Sequence, residues 1–217
     1  MPHWNPIQYE RFIKGRTQPA IDLANRLETL NPDNILDLGC GPGNSTKVLK
    51  DKFPNSHIIG ADNSEDMLKK AVELYPYIEF IKLDANGDLN EISDKFDIVF
   101  SNACIQWLPN HRELLPKMMT LLKPNGILAI QIPKQQEHPV HIIINELAKT
   151  EKWSSKIISR QYNNLKTDEY FDVLSESEAN EFIDDVYIEL QQRYQVQKNG
   201  EILFRFPRLF FMVKNNC

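Results

Sequence analysis

The sequence predicts an α/β fold: a mostly parallel sheet with helices on both faces and an antiparallel strand at the C-terminal end. Two observations lead there. Short apolar runs alternate with helix-patterned stretches through residues 31–133, which is how parallel strands joined by crossover helices read. The first of those runs ends in a glycine cluster, Leu36-Asp37-Leu38-Gly39-Cys40-Gly41-Pro42-Gly43, that opens the next helix. In open sheets of this kind ligands sit at the carboxyl ends of the strands.

The elements follow in order. Apolar spacing at Ala20, Leu23, Ala24 and Leu27 marks a helical stripe within Arg16 to Leu30, broken by Asn31-Pro32-Asp33-Asn34. Ile35 to Leu38 is the first strand and Ser45 to Lys52 its helix. His57 to Asp62 is the second strand. Ser64 to Tyr75 is the second crossover helix, with Ser64 placed as its N-cap. Ile78 to Leu83 and Phe96 to Ser101 are the third and fourth strands. His111 to Leu122 is a helix, stopped by Lys123-Pro124-Asn125-Gly126; Ile127 to Ile132 is the fifth strand. Beyond it, His138 to Lys149 reads as helix. Ser175 to Tyr194 is a charged helix with Ala179, Phe182, Ile183 and Val186 on one side, and Ile202 to Val213 is a final strand after the Asn199-Gly200 turn.

At 217 residues the chain suits one sizeable domain. A net charge of −5 argues against a broad grip on nucleic acid. Cys40, Cys104 and Cys217 form no CxxC pair and no metal-ligand spacing, which fits a reducing compartment. No apolar run is of leader or membrane-spanning length. The expectation is a cytoplasmic protein with a small-molecule ligand, without metal, nucleic acid or membrane partners.

The glycine cluster carries the chemistry. Glycines permit a tight turn and close approach of backbone to ligand, and the helix N-terminus behind them suits a polar or anionic group. A dinucleotide fingerprint reads G-x-G-x-x-G; here the third glycine, Gly43, comes one residue early and Asp37 precedes the set. Asp62 closes strand two, where a carboxylate suits the hydroxyls of a ribose; the competing reading is a turn aspartate that caps a helix. Asp84 closes strand three, and Asn102 ends strand four. Trp107 follows in the next loop, placed either as a wall of the site or as a core aromatic.

Asp37-x-Gly39-x-Gly41-x-Gly43 resembles the signature of class I S-adenosylmethionine (SAM) methyltransferases, a Rossmann-like family. The resemblance implies SAM as cofactor, held by Asp37, Gly39, Gly41, Gly43, Asp62, Asp84 (on the adenine amine) and Asn102 (beside the methionine half), with S-adenosylhomocysteine (SAH) as product. Further segments resemble the bacterial trans-aconitate 2-methyltransferases: Trp4-Asn5-Pro6 with Tyr9, Asn44-Ser45-Thr46 after the glycines, Gln106-Trp107-Leu108-Pro109 with His111, and Phe206-Pro207-Arg208-Leu209-Phe210. That likeness implies methyl transfer to a carboxylate of trans-aconitate or a similar polycarboxylic acid. No acid or base residue is required, because an ionised carboxylate is already nucleophilic and alignment can carry catalysis. Substrate-binding candidates are Tyr9, Arg16, Trp107, His111, Arg160 and Arg208, cationic and hydrogen-bonding partners for a polyanion and an indole beside the sulfonium.

Against the family pattern, a block of roughly thirty to forty residues, a strand and cap helices at ordinary lengths, is missing after Glu176. The chain then divides into an N-terminal lid and helix (1–30), a SAM-binding core (31–133), a shortened substrate cap (134–198) and the C-terminal strand (199–217) of a single domain. Without the missing strand, Ile202 to Val213 becomes an apolar edge that soluble proteins avoid exposing. The alternative functions are methyl transfer to another small molecule, or SAM binding by a protein that has lost its acceptor site.

Overall fold

A computed structural model describes residues 17–27, 31–134, 138–157, 176–198 and 207–215. The chain divides into two compact units, residues 1–133 with 208–217, and residues 134–207.

The larger unit is built on a six-stranded sheet of order β3-β2-β1-β4-β5-β6. The strands are β1 (Asn34–Leu38), β2 (His57–Asp62), β3 (Glu79–Lys82), β4 (Phe96–Asn102), β5 (Leu122–Pro133) and β6 (Arg208–Lys214). The first five run parallel, and β6 lies antiparallel on β5. Helix α1 (residues 17–25) precedes β1. Helices α2 (Asn44–Lys52), α3 (Glu65–Leu74) and α4 (His111–Thr120) form the crossovers. This is the predicted α/β architecture, antiparallel strand included.

Both faces of the sheet are apolar, so the central strands read as unbroken hydrophobic runs. On one face Leu36, Leu38, Val99, Leu128 and Ile130 pack with Leu114 and Met118 of α4. On the other, Ile35, Ile98, Phe100 and Ala129 meet Leu49 of α2 and Ala20, Leu23, Ala24 and Leu27, at or just beyond α1. These last four are at most 1% exposed, as their helical spacing predicts. Ser64 caps α3 by accepting from the Met67 amide.

Local structure departs from the sequence reading in one place. Lys123 to Gly126 was expected to separate a helix from a strand. Instead β5 starts at Leu122 and runs through this stretch as an irregularity, since Phe96 pairs with Leu122 and Ile98 with Ile127. The Asn125 amide donates to the Asn215 carbonyl and the Asn215 amide to the Gly126 carbonyl, so the turn-forming residues are absorbed between two strands. Strand β6 is described from Arg208 onward, and residues 202–206 of the expected strand lie outside the described residues. It ends the sheet, and Leu209, Met212 and Val213 are 40%, 44% and 42% exposed.

The smaller unit contains α5 (Pro139–Leu147), α6 (Glu151–Ile157) and α7 (Glu176–Arg193). Its core is Ile143, Ile144, Ala148, fully buried Trp153, Val186 and Leu190. The Trp153 indole N–H donates to Asp185, which Lys152 also binds. Val186 lies on the inner side of α7 as expected, but Ile183 is exposed and Leu190 takes the next inward position. The side chains of Ala179 and Phe182 lie outside the described residues.

Candidate active site

The glycine turn joins β1 to α2, and Gly39, Gly41 and Gly43 all have positive φ. At two of them a side chain would also collide: a Cβ on Gly43 would press on the rings of Tyr75 and Phe80. A Cβ on Gly39 would stand 2.2 Å from Cys104 Sγ, so glycine is needed for the loop after β4 to approach. A Cβ on Gly41 would meet nothing within 4 Å, so its backbone faces open space available to a ligand.

Asp37 is fully buried beneath this turn. Its Oδ2 accepts from Ser45 Oγ at 2.6 Å and Thr46 Oγ1 at 2.7 Å, tying the end of β1 to the first turn of α2. Burial is the main influence on its carboxyl, raising its pKa to about 6 against the lowering effect of those two hydroxyls, with a further upward push from Asp62. Its Oδ1 is buried and has no partner among the described residues.

Asp62 Oδ2 accepts from the Gly41 amide at 2.8 Å, and Oδ1 from the Ser64 amide at 2.9 Å. One carboxylate therefore fixes both the glycine turn and the start of α3, and each oxygen retains acceptor capacity for a ligand. Asp84 accepts from the Asn86 amide within its own turn.

A second group of expected site residues begins where β4 ends. The loop from Ala103 to Asn110 is bounded by two non-glycine residues at positive φ, 52° and 53°. Such backbone persists only where its surroundings hold it. Here the Ala103 amide donates to the Gln131 carbonyl, Gln106 Nε2 donates to the Ala103 carbonyl, and His111 Nε2 bonds the Ile105 carbonyl at 2.7 Å. His111, expected at the substrate, is placed as a latch on this loop. Trp107 is 51% exposed, which excludes the core-aromatic reading. Arg208 pairs with Asp22 at 3.3 Å. Tyr9, Arg16 and Arg160 lie outside the described residues.

The sequence reading missed Ser45 and Thr46 as the partners of Asp37, and it missed Gln131. The signal for Gln131 was available: a single carboxamide inside the apolar run Ile127-Leu128-Ala129-Ile130-Gln131-Ile132.

A glycine turn open at Gly41, an acid at the end of β2, and buried oxygens on Asp37 and Asn102 that have no partner among the described residues form a cradle that fits a nucleoside joined to an amino acid. Comparison with known proteins assigns the class: residues 31–178 match a methyltransferase domain, and the chain belongs to that family. It is a SAM-dependent methyltransferase with the Rossmann-like class I fold. Over its whole length it is similar to trans-aconitate 2-methyltransferases. The protein of Escherichia coli O157:H7 is 32% identical over 255 residues, and that of Enterobacter sp. (strain 638) 33% identical over 251, each match covering 99% of both chains. Both alignments are longer than this 217-residue chain, so both relatives carry stretches that it lacks. Among solved structures, the plantazolicin methyltransferase BamL with SAH shares the fold over 94% of this chain and 84% of its own (TM-score 0.53, 16% identity). An S-adenosylmethionine-dependent methyltransferase from Clostridium acetobutylicum matches over 61% and 57% (TM-score 0.51, 21% identity). Among the described residues no helix is long and apolar enough to cross a membrane.

Proposed function

We propose that the protein methylates a carboxylate of trans-aconitate or a closely similar small polycarboxylic acid. The observation that carries the reading is the near end-to-end likeness to trans-aconitate 2-methyltransferases. SAM supplies an electrophilic methyl group on a sulfonium. A carboxylate oxygen forms the new C–O bond as the C–S bond breaks, its electron pair passing to sulfur. The products are a monomethyl ester, neutral at the methylated group and still ionised at its other carboxylates, and SAH, and no proton moves.

The protein's part is to bind, align and exclude water. In this reading Gly39, Gly41 and Gly43 give the cofactor backbone access, and Asp62 takes its ribose. Asp84 serves the adenine end, while Asp37 and Asn102 serve the methionine end. Trp107 lies beside the methyl group, where an indole face favours a cation by ~0.5–2 kcal/mol. Arg16, Tyr9, Arg160 and Arg208 are the partners proposed for the polyanion, with His111 acting through the loop it latches. Residues 134–198 serve as a shortened substrate cap.

The test is mass spectrometry of the products from SAM and trans-aconitate. The reading expects an acid heavier by one methylene unit together with SAH. SAM binding without methylated acid would remove the substrate assignment and leave the class of enzyme intact. Arg16→Ala is expected to raise the acceptor KM with little change in SAM affinity; loss of SAM affinity instead would assign Arg16 to the cofactor.

A further inference from the structure

Gln131 is 1% exposed, yet among the described residues its Oε1 has no partner, and Oδ1 of Asn102 is likewise buried without one. The two residues are direct neighbours in the sheet, paired in register at the carboxyl ends of β5 and β4. Their side chains continue the rows Ile127–Ala129 and Ile98–Phe100, so both emerge on the face that carries α1 and α2. Asp37, two residues beyond Ile35, lies on that face as well. On the outer side of β5, Phe210 pairs with Gln131 and Arg208 with Pro133, which makes Arg208 the diagonal neighbour of Gln131 on the same face.

A buried carboxamide without its hydrogen bonds is costly to a fold, and an apolar residue of the same size would serve packing better. Nothing in the core uses the amide of Gln131: its backbone carbonyl holds Ala103, but its side chain bonds no described residue. An amide can also turn either its oxygen or its NH2 toward a ligand. Asn102, Gln131 and Arg208 thus form a row across three adjacent strand ends: two neutral amides and one guanidinium beside the Trp107 loop.

We propose that Gln131, next to Asn102 at the cofactor's methionine end, is an acceptor-binding residue that donates amide N–H groups to a carboxylate of a di- or tricarboxylic acid, with Arg208 supplying charge at the outer end of the row. Neutral donors orient a carboxylate without neutralising the oxygen that must attack the methyl group. The inference rests on the carboxylate reading above and names the residues that would select such an acid.

The experiment compares wild type with Gln131→Met, which keeps length and removes both amide atoms, and with Gln131→Glu, which keeps size and polarity but repels a carboxylate. For Gln131→Met, the melting temperature should hold or rise and the SAM Kd should stay within about twofold. The trans-aconitate KM should rise about tenfold or more while kcat changes less. Gln131→Glu should raise KM further. The same proteins loaded with SAH are then titrated with trans-aconitate and a panel of di- and tricarboxylates, reading the rise in melting temperature. An upshift present in wild type and lost in Gln131→Met supports the proposal even where trans-aconitate is not turned over, a result that would remove only the substrate named above. Unchanged KM and upshift in both variants would overturn it. So would a SAM Kd that weakens in parallel with KM, or a wild type that no acid in the panel stabilises.

Discussion

The two halves of the site are finished to different degrees. On the cofactor side, polar side chains are braced against the scaffold. Asp37 is held by Ser45 and Thr46, and Asp62 by the amides of Gly41 and Ser64. At the ends of β4 and β5, proposed to face the acceptor, the side-chain oxygens of Gln106 and Gln131 are buried without partners among the described residues, Trp107 stands half exposed, and two non-glycine residues hold left-handed backbone. A site common to many methyltransferases can be built once and braced. A site that must recognise one acceptor keeps its hydrogen-bonding groups for that acceptor.

Four perturbations test this contrast, the largest first. Gly39→Ala strikes both halves, because its Cβ would collide with Cys104 at a backbone φ of 76°. Left-handed strain of about 1–2 kcal/mol adds to overpacking of about 1–3 kcal/mol. A marked drop in melting temperature and loss of measurable SAM binding are expected. Cys104→Gly in the same chain should recover the overpacking part alone.

Second is the brace at Asp37. Its folded pKa, about 6, lies above its ordinary value of 3.8. The folded state therefore binds the proton more tightly, and stability must fall as pH rises through the window from about 4 to 6 and level off above it. Two units correspond to about 3 kcal/mol at most. Denaturant midpoints from pH 4 to 7 should show that decline in wild type relative to Asp37→Asn; parallel curves would mean that the carboxyl is not perturbed.

Third, Asp62→Ala removes the proposed partner of the cofactor's ribose and releases the glycine turn. SAM affinity should fall more than tenfold, equivalent to about 1.4 kcal/mol or more, in a protein that still folds. Unchanged affinity by calorimetry would show that Asp62 only caps α3.

The smallest effect belongs at the opposite end of the sheet. There Asp97 accepts from Lys123 and from the Asp33 and Asn34 amides. Burial opposes its charge, but these donors outweigh burial and hold its pKa below the usual range. The Lys123 pair is about 30% exposed, so Lys123→Ala should cost no more than about 1 kcal/mol, with SAM and acceptor constants unchanged.

The same contrast explains what was legible in the sequence. The β1 turn, the Asp62 position and the Ser64 cap are local: each depends on residues within one strand, turn and helix. The row Asn102, Gln131 and Arg208 joins residues distant in sequence, and only strand order and register make them neighbours. Lys123 to Gly126 misled because Pro, Asn and Gly ordinarily end an element, whereas here pairing to β4 and β6 outweighs local preference. Loss of a block relative to the family pattern was also readable, and it agrees with relatives whose alignments outrun this chain. The exposed flank of β6 among the described residues is its structural counterpart.

The most direct test of the central claim follows transfer of a labelled methyl group from SAM in the presence and absence of trans-aconitate. Acid-dependent formation of a labelled monomethyl ester, with an equal amount of SAH, is the predicted result. Full SAM binding with no label in any carboxylic acid would contradict it.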